Sequence, residues 1–252
     1  MKVGRVLFVF TAILASMVLG TAYSQDIGTT AVRDVDNILP EKDRAKVMNE
    51  ILDWRLENII PELMRREGID MWLTICREYN EDPVYLTLVP EPTMAARRTS
   101  ILIFHDKGEK EGVARLTGSL YGMGKWYKTI FTDQSKDQFE VLAEYIKKSD
   151  PKKIGINESE TWAFGDGLSA SFKAKLLEAL GPGLSARLVS AENLCVGWLE
   201  TRSPLELSLY RHICGVAHDI IAEFFSNQVI VPDASVLITK PRSNMGVTPV
   251  TA

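Results

Sequence analysis

The chain has 252 residues, of which 46% are apolar, and 29 Lys and Arg face 33 Asp and Glu for a formal charge of −4. This composition is that of a globular protein with a buried core, and it excludes collagen-like, coiled-coil and wholly disordered chains. Nucleic acid is not expected as a partner, because the cations are outnumbered by acids and interleaved with them.

The first 24 residues have the three-part pattern of a secretory signal peptide. Lys2 and Arg5 precede an apolar run at 6–19, small residues follow, and a polar lead-in occupies 25–40. Cleavage removes two cations, so the charge becomes −4 minus 2, or −6. We expect an exported protein, periplasmic or extracellular, without a membrane partner after cleavage. The alternative is an uncleaved anchor, although the apolar run is short for a bilayer.

The next part of the chain predicts a helix, a buried strand and a hairpin. Residues 41–68 carry apolar side chains at three- and four-residue steps, which predicts a helix that Pro61 should kink or restart. Residues 69–76 form a nearly continuous apolar run of strand length. Two further strand segments, 100–105 and 113–117, are separated by turn-forming residues.

Helices and strands then alternate. The helix predicted over 168–180 is expected to end at Gly181-Pro182-Gly183. Strands separated by helices of ten or more residues predict an α/β domain, a mixed sheet flanked by helices, over residues 41–200. The predicted segments are the helices 138–148 and 168–180 and the strands 153–157 and 186–190.

A long helix is predicted after this domain. Ser203-Pro204-Leu205-Glu206 combines an N-cap hydroxyl, a proline at the first helical position and a glutamate at the third. Apolar residues continue at helical spacing to about Asn227, and so wide a stripe requires a partner surface. We assign 201–235 to this helical segment and 236–252, which is rich in Pro, Gly, Ser and Thr, to a disordered tail.

Neither the cysteines nor the histidines form a recognisable site. The three cysteines, Cys76, Cys195 and Cys214, cannot make a complete disulfide framework, so buried thiols are expected and a single bridge stays open. The three histidines include no HExxH pair, because His212 and His218 are six residues apart and lie on different sides of a helix. No acidic ligand set accompanies them, so no metal site is predicted.

Three other patterns have a plain structural interpretation. Cys214 and His218 share a helix face and would serve a thiol enzyme, but catalytic pairs usually come from separate elements. The glycines of TGSLYGMG, residues 117–124, match neither dinucleotide nor phosphate motifs and predict a hairpin loop. Asn157-Glu158-Ser159 is formally a glycosylation sequon.

One polar loop is a candidate contact site. Arg77, Glu78, Tyr79 and Asn80 follow directly on the carboxyl end of a predicted central strand, where α/β sheets usually present ligand-contacting loops. Arg77 could clamp a carboxylate, and Tyr79 or Asn80 could orient a polar group. We predict a ligand or subunit contact loop. The alternative is a solvated loop whose charges pair among themselves.

Several segments in this order resemble the creatinase, prolidase and aminopeptidase P family, and most of all its exported bacterial Xaa-Pro aminopeptidases. The resemblance covers residues 41–235 and implies a non-catalytic N-terminal α/β domain, with 203–227 as the opening helix of a pita-bread peptidase domain. The segments are ILDWRLENIIPELMRREGIDMWLTIC, REYNEDPVYLTLVP, KKIGINESETWAFGDGL and WLETRSPLELSLYRHICGVAHDIIAEFF.

The sequence departs from the family in its chemistry. Family members bind two divalent metal ions through two aspartates, a histidine and two glutamates that all lie beyond the opening helix, and no matching residues are found here. We therefore assign no catalytic residue, metal ligand or cofactor to this chain and interpret it as truncated and without peptidase activity. The resemblance implies self-association or a full-length relative as partner, with first-domain loops reaching a neighbouring subunit.

Overall fold

The computed structural model describes residues 33–225. The predicted signal peptide and tail lie outside these residues. The described part divides into two compact units: Leu39–Arg211, and residues 33–38 together with 212–225. Within residues 33–225, no helix combines the length and apolar character needed to cross a bilayer.

The larger unit is an α/β domain with one mixed sheet of six strands, as the alternation of elements predicts. The order across the sheet is β4-β3-β2-β1-β5-β6, and β1 is antiparallel to β2 but parallel to β5, which is parallel to β6. The elements are α1 Glu41–Glu67, β1 Met71–Arg77, α2 Tyr85–Leu88, β2 Thr99–Asp106, β3 Val113–Thr117, β4 Lys128–Thr129, α3 Gln138–Ser149, β5 Ile154–Ile156, α4 Ala170–Ser185, β6 Leu188–Ser190, α5 Glu192–Glu200 and α6 Pro204–Phe224.

The central strand β1 separates two cores, because successive side chains of a strand point to opposite faces of the sheet. Trp72 and Cys76 face the core that α1 and α5 cover. Leu73 and Ile75 face the core that α3 and α4 cover. Burial on both faces explains why this segment is apolar at nearly every position rather than alternating.

Two breaks are expected from the sequence, and the structure bears out the one at Gly181. At Pro61, α1 does not restart but continues to Glu67. Ile60 and Leu63 on either side are almost wholly buried, so packing of the helix outweighs the hydrogen bond that proline removes. At Gly181, φ 69° and ψ 173° leave helical geometry, so the helix that begins at Ala170 is broken there as expected, and the rest of α4, up to Ser185, is a second helical segment across this kink.

Arg55 of α1 joins three elements of the larger unit. The residue is only 7% exposed. It donates to the carbonyl of Trp198 at the end of α5, to the carbonyl of Thr201 at 2.5 Å and to both carboxylate oxygens of Glu206 at 3.0 and 3.1 Å. The guanidinium carbon also lies 4.2 Å from the ring centroid of Trp198.

The same glutamate completes the predicted N-terminal cap of α6. Glu206 accepts from the backbone N–H of Ser203 at 2.6 Å, and the Ser203 hydroxyl accepts from the Glu206 N–H at 3.1 Å. Burial alone would raise the pKa of Glu206, but the hydrogen bonds from Ser203 and Arg55 lower it below its ordinary value. The cap and the buried arginine therefore stabilise one charged group.

We expect Arg55→Ala to lower the free energy of unfolding by about 3–5 kcal/mol, because removing one partner of a buried charge pair leaves the other unpaired. Arg44→Ala, at an exposed position of the same helix, should change it by less than about 0.5 kcal/mol. Urea unfolding followed by circular dichroism measures both variants. Equal effects at the two positions would contradict the role given to Arg55.

Candidate functional site

The carboxyl ends of three parallel strands, β1, β5 and β6, lie along one edge of the sheet. The contact loop begins at Arg77, the last residue of β1, at this edge, and Asn157 directly follows β5. At the same edge, Glu192 at the start of α5 accepts hydrogen bonds from the hydroxyls of Ser159 and Thr161. Polar groups therefore gather where α/β sheets commonly bind ligands.

The contact loop is a tight turn rather than an open loop. The Arg77 N–H donates to the Asn80 carbonyl at 3.4 Å, and the Asn80 N–H donates to the Arg77 carbonyl at 3.1 Å. The Glu78 N–H donates to the carbonyl of Arg98 at 3.2 Å, which fixes the turn against the segment that enters β2. The backbone of this loop is therefore held on both sides.

Tyr79 occupies an unfavourable position in this turn. Its φ is 63°, in the left-handed region that residues other than glycine and asparagine rarely adopt, and its side chain is 97% exposed. An exposed aromatic ring gains nothing from the core in return for the backbone strain. Strain of this kind concentrates at contact and active sites, so Tyr79 is a candidate contact residue.

The charges of the loop do not pair among themselves. Within the described part of the chain, no ion pair includes Arg77 or Glu78. Arg77 instead places its guanidinium carbon 5.8 Å from the ring centroid of Phe172 in α4. The four residues are exposed to solvent, and charge pairing among them is not seen within residues 33–225.

A buried polar cluster lies behind the contact loop. Asp82 is 1% exposed and accepts from the Val84 N–H at 2.9 Å and from the Asn157 side-chain amide at 2.8 Å. The Asn157 carbonyl oxygen in turn accepts from the Trp72 indole at 2.6 Å and from the Cys195 thiol at 3.3 Å. Since both of those groups donate, they fix the orientation of the Asn157 amide toward Asp82.

No cation compensates the Asp82 carboxylate within the described residues. Burial raises its pKa to about 6, and the hydrogen bonds from Asn157 and Val84 only partly oppose that shift. The backbone of Gly167 lies close to the Asp82 carboxylate, because a Cβ built on that glycine would lie 2.0 Å from Oδ2. The position therefore admits only glycine. Burial also raises the pKa of the nearby Cys76 thiol to about 12, so this cysteine is not a nucleophile at neutral pH.

In the sequence, Asn157 is the last residue of a predicted strand and the first of a glycosylation sequon, and its structural role is not evident there. Its amide nitrogen is buried and bonded to Asp82, so the folded protein does not present it for glycosylation. The pattern that could have identified it is an asparagine directly after a parallel strand. Side chains at that position commonly bridge the loops of neighbouring strands.

The three histidines lie apart from this cluster. His105 is hydrogen-bonded through Nδ1 to the Tyr145 hydroxyl at 2.9 Å, and burial lowers the pKa of its imidazole. His212, in the smaller unit, has its Nδ1 3.1 Å from a carboxylate oxygen of Asp34. His218 is exposed on α6.

Cys214 is exposed on the same helix, which corrects the expectation that this thiol is buried, whereas Cys76 and Cys195 are buried as expected. A catalytic pair of Cys214 and His218 would need a third group to orient the imidazole, and no hydrogen bond to His218 is found within residues 33–225. In that part of the chain, no group of three or more His, Cys, Asp and Glu side chains is placed to hold a metal ion.

Comparison with known proteins gives limited information. No family model matches the chain. No curated protein matches it either. Among solved structures, a Xaa-Pro dipeptidase from Bacillus anthracis is similar, with a TM-score of 0.39 and 17% identity over 71% of this chain and 43% of that one. The matched region is thus less than half of that protein, and a likeness at this TM-score assigns neither activity nor substrate.

The raised pKa of Asp82 gives its contribution to stability a defined pH dependence. The folded protein binds this proton more tightly than the unfolded chain, whose aspartates titrate near 3.9. Stability is therefore lost as the pH rises from about 4 to about 6, by at most about 3 kcal/mol. Asp82→Asn should not show this loss, so its stability relative to the wild type should increase over that interval. Urea titrations at several pH values measure the difference, and parallel curves would contradict it.

Proposed function

We propose that this chain is the non-catalytic N-terminal domain of a Xaa-Pro aminopeptidase-like metallopeptidase, without hydrolytic activity of its own. The proposal includes export, as the pattern of the first 24 residues suggests. Any peptidase activity then belongs to a metal-binding domain that follows such a domain in the family, with two divalent metal ions as its cofactors.

One observation carries this proposal. The segment of the strongest resemblance, from Trp198 to Phe225, begins in α5, crosses the capped turn at Ser203 and continues as α6 directly after a mixed α/β sheet. The family resemblance implies that order of elements: a sheet domain, a connecting turn and a long helix that begins the next domain. The prediction of the turn from its capping residues supports the alignment independently of the resemblance.

An activity assay and a chimera test the proposal. The purified chain with added Mn²⁺ should not hydrolyse Xaa-Pro peptides, and turnover that a chelator abolishes would contradict the proposal. In the second experiment, the chain replaces the N-terminal domain of a full-length exported Xaa-Pro aminopeptidase, joined at Pro204. We expect activity within about tenfold of the parent and well above that of the peptidase domain alone. A folded, metal-loaded chimera no more active than the isolated domain would argue against the assignment.

A second candidate function is supported by the contact loop. The chain would then act as a partner-binding module that engages a full-length relative through Arg77, Glu78, Tyr79 and Asn80. The supporting observation is the fully exposed Tyr79 on a rigid, strained turn. Tyrosine is enriched at binding hot spots because it supplies a large contact area at a low cost in side-chain entropy.

The substitution Tyr79→Gly should change the stability of the protein and its binding to a partner in opposite directions. Relief of the left-handed backbone gains about 1–2 kcal/mol, and the greater freedom of glycine in the unfolded chain offsets about 0.5–1 kcal/mol, so a net stabilisation of about 0–1.5 kcal/mol is expected. Binding to a full-length relative should weaken in the same variant. Tyr121→Gly is the control, at an exposed tyrosine without positive φ, and it should be destabilising or neutral. Unchanged binding in Tyr79→Gly and Arg77→Ala would remove the support for this function.

A further inference from the structure

Two buried nitrogen donors near the β4 edge of the sheet have no hydrogen-bond acceptor among the described residues. They are Nη1 of the Arg115 guanidinium and Nε1 of the Trp126 indole. A buried N–H group without an acceptor is rare in folded proteins, because it has lost its hydrogen bonds to water and gained none in return. Both groups therefore lack an interaction that folded proteins almost always provide.

The register of the sheet places the two residues close together. Strands β3 and β4 are parallel, and Leu116 is paired with Lys128. One step back along both chains, Arg115 therefore lies beside Tyr127, which Trp126 directly precedes. Leu116 packs against the core that α3 and α4 cover, so Arg115 points to the opposite face of the sheet. Trp126 packs against the core on that same face.

The charge of Arg115 is not compensated by the residues that the structure describes. No ion pair within residues 33–225 includes it, and a guanidinium stays protonated in proteins. Tyr127 beside it does not supply a negative charge. Burial raises the pKa of the Tyr127 phenol, which the charge of Arg115 opposes only in part, and the neutral hydroxyl donates to the Leu88 carbonyl at 2.6 Å. A neutral acceptor such as water would satisfy the N–H groups but leave the charge of Arg115 unpaired.

An acidic residue of α1 near the Trp126 ring is engaged by a different cation. Lys125 Nζ lies 4.9 Å from the centroid of that ring and forms an ion pair with Asp53. Asp53 accepts from neither Arg115 nor the indole. Arg115 and Trp126 are each partly exposed, so a small ligand can approach them from the solvent.

We propose that Arg115 and Trp126 form a binding site for a small oxyanion, a carboxylate or a phosphate group, whose oxygens accept hydrogen bonds from the guanidinium and the indole. Such a group supplies both the acceptor that the two donors lack and the negative charge that pairs with Arg115, and its geometry matches the planar donor array of arginine. The site lies within the larger unit and uses no residue of the contact loop or of α6, so this inference does not rest on the proposed function.

Proton–nitrogen NMR spectra of the full chain test the proposal, because the five tryptophans give separate indole N–H signals. Sodium acetate and sodium phosphate are titrated separately, at fixed pH and at an ionic strength held constant with sodium chloride. The Trp126 signal should shift saturably with at least one of the two anions. Trp126→Phe, which removes the indole N–H and keeps an aromatic ring, assigns that signal. The indoles of Trp72 and Trp198 already donate to Asn157 and Thr87, so their signals are internal controls and should not shift.

The variant Arg115→Gln removes the charge and should weaken binding of the anion at least about tenfold, because it loses a hydrogen bond from a charged donor. Lys128→Gln is the matched control. It removes the same charge at an exposed position of the neighbouring strand and should change the affinity by less than about twofold. Circular dichroism establishes that each variant is folded. If Arg115→Gln does not fold, Arg115→Lys replaces it, since lysine keeps the charge but loses the planar array of donors, and it should also weaken binding.

The two titrations distinguish the possible ligands. A response to acetate alone supports a carboxylate site, and a response to phosphate alone supports a phosphate site. Three results would each overturn the proposal: a Trp126 signal that neither anion shifts, a shift that sodium chloride alone reproduces, or an affinity that the Arg115 variant leaves unchanged.

Discussion

The buried guanidinium of Arg55 organises the junction at which the α/β sheet domain meets its last helix. It lies on α1, yet it donates to carbonyls at the end of α5 and to the carboxylate that caps α6. Only arginine can serve all three, because its guanidinium keeps its charge and offers five donors in a fixed planar arrangement. The Glu206 carboxylate accepts hydrogen bonds from the Ser203 N–H and from the Arg55 guanidinium, so the start of α6 is fixed at Ser203.

Two features at the carboxyl edge of the sheet are energetically unfavourable, and the sheet itself requires neither. Asp82 holds a carboxylate in the core without a nearby cation, and Tyr79 holds a left-handed backbone with its ring in water. Asp82 lies three residues after Tyr79, with Asn80 and Glu81 between them. Asp82 and Asn157 tie the loops after β1 and β5 together, which keeps the turn rigid. A rigid, strained and exposed aromatic residue has the properties of a binding anchor.

Helix α6 carries large apolar side chains that are exposed. Within the smaller unit its polar side contacts residues 33–37, and the apolar side chains of Ile213 and Ile220 are more than half exposed. Within residues 33–225 the cysteines and histidines are either buried in the cores, bonded to single partners or exposed on α6, and none forms a reactive cluster.

Short-range sequence patterns were sufficient to predict those elements whose conformation depends on neighbouring residues. The apolar run of β1, the hairpin of β2 and β3 and the Ser203–Glu206 cap all follow from neighbouring residues, and each is confirmed. The loop from Arg77 to Asn80 could likewise be placed after a central strand. Gly181 breaks α4 as its local sequence predicts, whereas α1 continues past Pro61 without a restart, because the burial on either side of that proline depends on packing.

Partners distant in the sequence were decided only by the tertiary structure. Asp82 meets Asn157 across 75 residues, and Arg55 meets Glu206 across 151. No local pattern encodes such pairs, because parallel strands bring together loops that are far apart in the chain. The sequence alone determined that α6 has an apolar stripe. Only the tertiary structure decided that residues 33–37 pack on its polar side, since helical periodicity specifies which residues share a face but not which face the protein covers.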